Sequence, residues 1–490
     1  MNFKFKELNN IGKLMIIIGT LTLVPLGMIP FYPQDSVYSM SFIIPSLFSI
    51  LGGLVVGKKF KSQSTEIDFQ YMNQTGSLIV LFAWFYGFFM GAFPFYLSNQ
   101  LTFIQSLYEA VSGWTTTGLS VMDVSVTPPI FLFYRSFMQF CGGLGFMMMM
   151  IMLIQGKESM SLYNAEGHTD RLMPNIKNTA QVIFKMYSFF LAIGTMVYIL
   201  FGMPILDSLL HAMSALSTGG FSTEVNSIGA YESLKIEAVT IMLMVIGTTN
   251  FAVLLLLARR KFSQLIKVSE LRFFGLILLV FLPLLSFSIF SEMYMGLGES
   301  FRHALFNIVS ALSTTGYSTT TYDTWPAAGI GIMIIMMVIG GGLGSTAGGL
   351  KLTRVYLMLR ILGLNIKKRV SSTRRVNTAY YQTAQGKQEI DTSLMTDTIG
   401  FITFYILILL TGGILITWTS GATLTEAMFE FASSLGTVGL SIGLTGPSTD
   451  YGTLIIQMFG MILGRLEIFI ILVGAYSGMY SLKHKFRKTA

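Results

Sequence analysis

The chain holds one cysteine, Cys141, among 490 residues, which excludes an internal disulfide and any cysteine-based metal cluster. Histidine is nearly as scarce. His168, His211, His303 and His484 lie scattered without ligand spacing, so no metal site is expected on them. Charge is thin as well: 11% of residues carry one, against roughly a quarter in a soluble protein. What the chain has instead is apolar length. Hydrophobic residues make up 52%, mean hydropathy is +0.65, and uncharged runs such as Met15 to Gln34, Gly76 to Tyr108 and Thr398 to Leu424 reach or exceed the roughly 20 residues that span a bilayer. The first run is followed at once by a second, Tyr38 to Val56, with no clear small-residue cleavage site between them, so both are expected to stay as membrane helices.

Net charge is +8, and its placement says more than its sum. All Lys and Arg except Arg135, Lys235, Arg302 and Arg465 fall in six clusters, the first holding Lys4, Lys6 and Lys13 and the last Lys483, Lys485, Arg487 and Lys488. The clusters occupy every second gap between apolar segments, which the positive-inside rule assigns to the cytoplasm together with both termini. In a soluble chain such a balance would point to nucleic acid; in this one no nucleic-acid partner is expected. The remaining gaps carry acids, among them Glu109, Asp123, Asp207, Glu224, Asp323, Glu426 and Glu430. An acidic outer side over a central path raises the local cation concentration and repels anions. Ordinary solvated loop charge is the plainer explanation of the same acids.

Four stretches share one pattern: Ser112-Gly-Trp-Thr-Thr-Thr-Gly118-Leu-Ser120, Ser214-Ala-Leu-Ser-Thr-Gly-Gly220-Phe-Ser222, Ser310-Ala-Leu-Ser-Thr-Thr-Gly316-Tyr-Ser318 and Ser433-Ser-Leu-Gly-Thr-Val-Gly439-Leu-Ser441. Repeats about 100 residues apart are too long for a solenoid, so each unit is read as a small domain. Each consists of a span, a half-length apolar segment, Thr-x-Gly, and a returning span. In the first unit Gly76 to Leu97 crosses, Leu101 to Gly113 is too short to cross at about 1.5 Å per residue, and Ile130 to Leu153 returns. The second unit places Ile205 to Leu216 between Asn178 to Phe201 and Leu234 to Leu257. The third places Gly298 to Leu312 after Phe273 to Tyr294, with a return from about Trp325. The fourth runs Leu394 to Thr417, Ala422 to Ser434, and Tyr451 to about Tyr480. Residues 11 to 31 and 38 to 57 form a hairpin outside the repeat, expected to be supporting structure. The cytoplasmic segment Arg369 to Asp391 is polar and basic, with loop or short elements expected. Domain boundaries follow: 1–70 hairpin, 71–175, 176–268 and 269–368 for three repeats, 369–393 cytoplasmic loop, and 394–490 for the fourth repeat and basic tail.

Non-helical backbone at membrane depth survives only where protein buries it or water lines it. Four such loops meeting on one axis meet that condition and make four walls of one pore. A desolvated alkali cation needs oxygens in place of its water, and main-chain carbonyls supply them without net charge. Gly118, Gly220, Gly316 and Gly439 permit the strained dihedrals and close approach this needs. Each half-helix aims a C-terminal end of about −0.5 charge at the cavity below. A lone Thr-x-Gly would merely cap a helix, but capping does not require a spanning partner on both sides, four times over. The third return is interrupted by Gly340-Gly-Gly-Leu-Gly-Ser-Thr-Ala-Gly-Gly-Leu-Lys351. Glycine costs about 1 kcal/mol each against Ala in a helix, so the helix is expected to open there into a loop within the membrane. Arg465, in the last span, is an intramembrane arginine and therefore expensive. It either raises the barrier to cations or holds the loop through its carbonyls. Glu467, two positions on, does not face it on a helix, and an acid elsewhere remains an alternative partner.

These four loops, the Gly340 to Lys351 stretch and Gly464-Arg-Leu-Glu-Ile-Phe469 resemble the Trk/Ktr/HKT superfamily of potassium transporters, and the added hairpin looks like its TrkH branch. The resemblance covers about residues 11 to 483. It implies an all-α polytopic membrane protein of four tandem M1-P-M2, potassium-channel-like repeats in pseudo-fourfold array behind an N-terminal hairpin, working as a homodimer in a bacterial plasma (inner) membrane. It implies a filter of Thr116, Thr117, Gly118, Thr218, Gly219, Gly220, Thr314, Thr315, Gly316, Thr437, Val438 and Gly439. It implies a gate of Gly340, Gly341, Gly342, Gly344, Ser345, Thr346, Gly348, Gly349 and Lys351 beneath the filter, with Arg465. In plant relatives a Ser at the first filter glycine goes with sodium preference; Gly118 therefore favours potassium, K+, as the transported ion. No organic cofactor is implied for this chain. Gly340-Gly-Gly-Leu-Gly lies inside an apolar span and not in a βαβ unit, so nucleotide control would come from the family's TrkA-like cytoplasmic regulatory ring.

The leading reading is a gated pore that imports potassium down its electrochemical gradient. A symporter coupled to sodium or protons is the alternative, and such transporters usually show ionisable relays at mid-membrane or inverted broken helices. An enzyme is not expected, because no base stands near the Ser and Thr of the loops in a credible triad; His211 and His303 are read as outer-surface or packing residues.

Overall fold

The computed structural model describes residues 8–59, 69–145, 176–293, 296–371, 378–466, 468–469 and 471–472. Six helical segments among them are long and apolar enough to cross a bilayer: Asn10–Met28, Pro33–Lys58, Leu78–Leu97, Lys177–Leu200, Ser269–Met293 and Thr392–Ser420. The chain is a multi-pass, helical membrane protein.

The first two pack as a tight hairpin because their facing positions are small. A Cβ on Gly12 would meet the Gly53 carbonyl oxygen at 2.5 Å, and Ser46 and Ser49 donate across the pair to the carbonyls of Gly19 and Met15, each at 2.6 Å. Small residues let helices approach where lipid supplies no hydrophobic drive. Asp35, at the hairpin turn, accepts from the Ile130 amide at 2.9 Å. It thereby satisfies one of the orphan donors at the start of helix Pro129–Leu144, which fastens the hairpin to the first repeat.

The four half-length segments are helices: Phe103–Trp114, Ile205–Leu216, Leu297–Ser313 and Leu424–Leu435. Three of them have 12 residues and rise about 18 Å, and the 17 residues of Leu297–Ser313 rise about 26 Å, all short of the roughly 30 Å hydrocarbon thickness. Thr102 and Thr423 start the first and last of these with capping boxes through Gln105 and Glu426. Each returning helix packs against the next repeat's short helix, first on second, second on third, third on fourth, and fourth back on first. The closing contact includes Tyr108 donating to Gln457 Oε1 at 2.7 Å. The repeats therefore form a closed ring.

The returning helices end or bend soon after they begin. Pro129–Leu144 ends at Gly145 with a φ of 81°, and the expected continuation to Leu153 lies outside the described residues. The return expected to run unbroken from Leu234 to Leu257 is two helices, Leu234–Thr248 and Phe251–Ala258, bent by 112°. Asn250 makes the break by capping the second piece, accepting from the Ala252 amide at 2.6 Å. Ala327–Ile339 stops at Gly340, as expected, and the chain becomes helical again at Leu352. Tyr451–Arg465 ends at Leu466. All four described returns thus break beyond the filter turns.

The segment after Val370 includes a two-stranded hairpin, Tyr380–Thr383 with Gly386–Glu389, Tyr381 opposite Gln388. It packs with Leu357, Ile361 and Leu364 of helix Leu352–Val370.

Candidate functional site

Each short helix runs into the same turn. Thr116, Thr218, Thr314 and Thr437 have φ of 56°, 53°, 56° and 49°, and Gly118, Gly220, Gly316 and Gly439 have φ of 94°, 74°, 84° and 97°. Left-handed glycine was legible in the sequence; left-handed threonine was not. A β-branched residue in that region is a genuine outlier, and such strain concentrates at functional sites. The turns are held from behind by equivalent bonds: the amides of Thr117, Gly219, Thr315 and Val438 donate to the carbonyls of Ser112, Ser214, Ser310 and Ser433 at 2.8 to 3.0 Å.

The four turns close a ring. A Cβ placed on Gly118 would lie 2.1 Å from the Gly219 carbonyl oxygen, on Gly220 2.0 Å from that of Thr315, on Gly316 2.0 Å from that of Val438, and on Gly439 2.3 Å from that of Thr117. Each glycine is bare because the next repeat's carbonyl occupies the space a side chain would need, and the series returns to its start. All twelve residues expected at the filter lie in this ring. Above it opens a cavity of about 1000 Å³ lined by the four glycines and by Asp123, Glu224 and Asp323. Hydrogen bonds from Ser125 hold the Asp123 carboxyl below its ordinary pKa, so it is ionised at neutral pH. Thr116 Oγ1 and Thr437 Oγ1 are buried with no hydrogen-bond partner among the described residues.

Two of the acids assigned to the outer face belong elsewhere. Glu109 and Glu430 are fully buried behind the ring. Glu109 pairs with Arg135 at 2.6 Å and accepts from Ser120 at 3.0 Å. Glu430 accepts from Ser441 and Thr445 and from the amides of Ile442 and Leu444. His211 is buried, the packing alternative of the two expected for it, with Nε2 3.0 Å from Ser222 Oγ. Asn307 completes the set, its Nδ2 donating to Thr319 at 3.0 Å. Glu109, His211, Asn307 and Glu430 each stand nine residues before their ring glycine. That recurring polar position was the available sequence signal. Both buried carboxyl groups accept hydrogen bonds from donors held in place, as buried polar groups require.

The Gly340 to Lys351 loop fits against the underside of the ring. Gly348 donates to Thr314 Oγ1 at 2.8 Å, Thr346 Oγ1 lies 3.2 Å from Thr218 Oγ1, and a Cβ on Gly348 would meet Thr437 Oγ1 and the Gly436 carbonyl oxygen. Thr346 Oγ1 also donates to the Leu216 carbonyl at 3.1 Å, an orphan acceptor at a short-helix C-terminus. Second-repeat residues stitch the loop in place: the Gly342 amide donates to the Thr248 carbonyl at 3.0 Å and Asn250 Nδ2 to that of Leu343 at 2.5 Å. Gly340 and Gly349 lie back to back, Gly344 accepts from the Phe251 amide, Ser345 donates to Gly342, and Lys351 reaches the Ala347 carbonyl. A Cβ on Gly341 would strike Thr248 Oγ1. Arg465 donates to the Thr346 carbonyl at 2.6 Å and to that of Gly142 at 2.5 Å. It bridges the loop to the first repeat. Glu467 lies outside the described residues.

Fold and site together define a polytopic membrane protein built around a fourfold ring of main-chain carbonyls. The model of the TrkH family, cation transport proteins, matches residues 46–483, and the chain belongs to that family. It is similar to the Trk system potassium uptake protein TrkG of Escherichia coli K12, 29% identical over 96% of this chain and 97% of that one. It is similar also to the Trk system potassium uptake protein TrkH of Halomonas elongata, 27% identical over 94% and 96%. The crystal structure of the potassium transporter TrkH from Vibrio parahaemolyticus superposes with a TM-score of 0.82 at 25% identity, covering 96% of this chain and 98% of that one. The chain is a transport protein, not an enzyme.

Proposed function

We propose that this protein takes up potassium across a bacterial inner membrane through a gated, channel-like pore. The filter is the carbonyl ring at Thr116 to Gly118, Thr218 to Gly220, Thr314 to Gly316 and Thr437 to Gly439, and the gate is Gly340 to Lys351, anchored by Arg465. The observation that carries this reading is the ring itself: four equivalent carbonyls, each against the preceding repeat's glycine. Neutral oxygens fixed around one line replace the hydration shell of a cation, and the unpartnered hydroxyls of Thr116 and Thr437 add oxygens at its lower edge. The acidic residues of the vestibule, ionised Asp123 among them, concentrate cations above it.

The loop beneath, hydrogen-bonded to the ring threonines Thr314 and Thr218 and packed close under Thr437, blocks the path until it is released. Potassium is the ion because the similar TrkG and TrkH proteins are potassium uptake proteins. The basic loops and both termini face the cytoplasm. There a homodimer of this chain meets a nucleotide-binding regulatory ring of the kind the Trk systems use. The test is the reversal potential of the purified protein in liposomes under opposed potassium, sodium and proton gradients. A potential that tracks the potassium gradient alone is expected. One set by a fixed ratio of two ions would replace the pore with a symporter.

A further inference from the structure

Three of the four repeats place a side chain between the left-handed threonine and the ring glycine: Thr117, Thr315 and Val438. The second places Gly219. Its backbone does not require glycine, since Gly219 is absent from the positive-φ residues. Space does. A Cβ on Gly219 would lie 2.4 Å from Gln139 Cδ. Gln139 comes from the first repeat's returning helix, is fully buried, and grips the second turn at two points. Its Nε2 donates to the Gly219 carbonyl at 2.5 Å, and its Oε1 accepts from the Phe221 amide at 3.1 Å. Among the described residues, no other carbonyl of this level, at Thr117, Thr315 or Val438, accepts a side-chain hydrogen bond.

We propose that Gln139 sets the ion preference of this carbonyl level by engaging one lone pair of Gly219, so that one ligand in four is weaker than the rest. The inference rests on the ring being a potassium filter. A carbonyl oxygen has two lone pairs; Gln139 holds one of those on Gly219, and the other is left for the ion. An N–H on the second pair draws electron density from the oxygen and lowers the field it presents to an ion. Selectivity among alkali cations depends on the number and field strength of such dipoles. A weaker field favours the ion that loses its water more easily, potassium over sodium. The same amide fixes the oxygen's position, so Gln139 acts as a positioning residue that touches the ligand and not the ion.

Two substitutions break this contact by different routes. Gln139→Met keeps the length and removes both hydrogen-bonding atoms. Gly219→Ala inserts a methyl into the place of the amide, which sits at the end of a flexible side chain and swings away. Bi-ionic reversal potentials of the full chain in liposomes, potassium against sodium, read the result. Each variant is expected to lower the potassium-to-sodium permeability ratio about fivefold, the factor one neutral hydrogen bond is worth. The double variant is expected to go no further, because both changes remove one contact. Unchanged ratios with reduced thermal stability would reduce Gln139 to a packing brace, and shifts that multiply in the double variant would also overturn the proposal. Wild-type protein with no potassium-selective potential would remove the filter reading itself, a failure separate from either of these.

Discussion

Replacing Arg465 by Gln tests how the gate is held. The guanidinium bridges the Thr346 carbonyl of the loop and the Gly142 carbonyl of the first repeat. Hydrogen bonds from a charged donor are worth about 1.5 to 3 kcal/mol each. The bond to Thr346 is broken when the loop leaves, so its loss acts on the closed state alone. At 1.4 kcal/mol per tenfold change in an equilibrium, about 2 kcal/mol raises the ratio of open to closed pores about thirtyfold. Removing the charge also lowers the electrostatic barrier to a cation passing below the ring. These effects appear in different observables. Single-channel recording in planar bilayers assigns the first to open probability and the second to unitary conductance. Arg465→Lys keeps the charge but lacks the fork that spans two carbonyls, so it should raise open probability while leaving conductance near wild type. If Arg465→Gln raised conductance with open probability unchanged, the arginine would be only a barrier and the anchoring argument would be wrong.

Gly316→Ser places a side chain on a backbone with φ of 84° and aims its Cβ at the Val438 carbonyl, 2.0 Å away. It should cut the potassium-to-sodium permeability ratio by at least about tenfold, since it displaces a ring ligand, and an unaltered rubidium flux would put the turn outside the ion path. Arg135→Leu strands Glu109 as an unpaired buried charge, at a cost of about 3 to 5 kcal/mol. The melting temperature in detergent should fall sharply and recover in part in Arg135→Leu with Glu109→Gln. Asp123→Asn should slow uptake at low ionic strength and have no effect near 1 M salt, where the screening length is about 3 Å. Because Ser125 holds the Asp123 pKa below its ordinary value, wild-type steering by this group should persist as the outer pH drops through the usual carboxylate range. It should fade only as pH falls through the lowered value, which initial rates against pH would show.

The sequence by itself determined the outward spans, the half-length helices, the ring glycines and the rupture at Gly340. Each of these is set locally, by apolar length, by the need for left-handed backbone, or by the entropy of clustered glycine. The short helix Ile205–Leu216 was legible to the residue, because Pro204 and the Ser-Thr-Gly turn bound it on both sides. Tertiary structure alone decided how those pieces face one another. Glu109 and Glu430 counted as surface acids until the ring turned them inward against Arg135 and the Ser441 to Thr445 loop. The bare Gly219 was an unexplained asymmetry until Gln139, 80 positions earlier, filled its space. Even the threonine strain belongs here: a β-branched residue enters left-handed backbone only when neighbours distant in sequence hold it, and no local preference encodes neighbours of that kind.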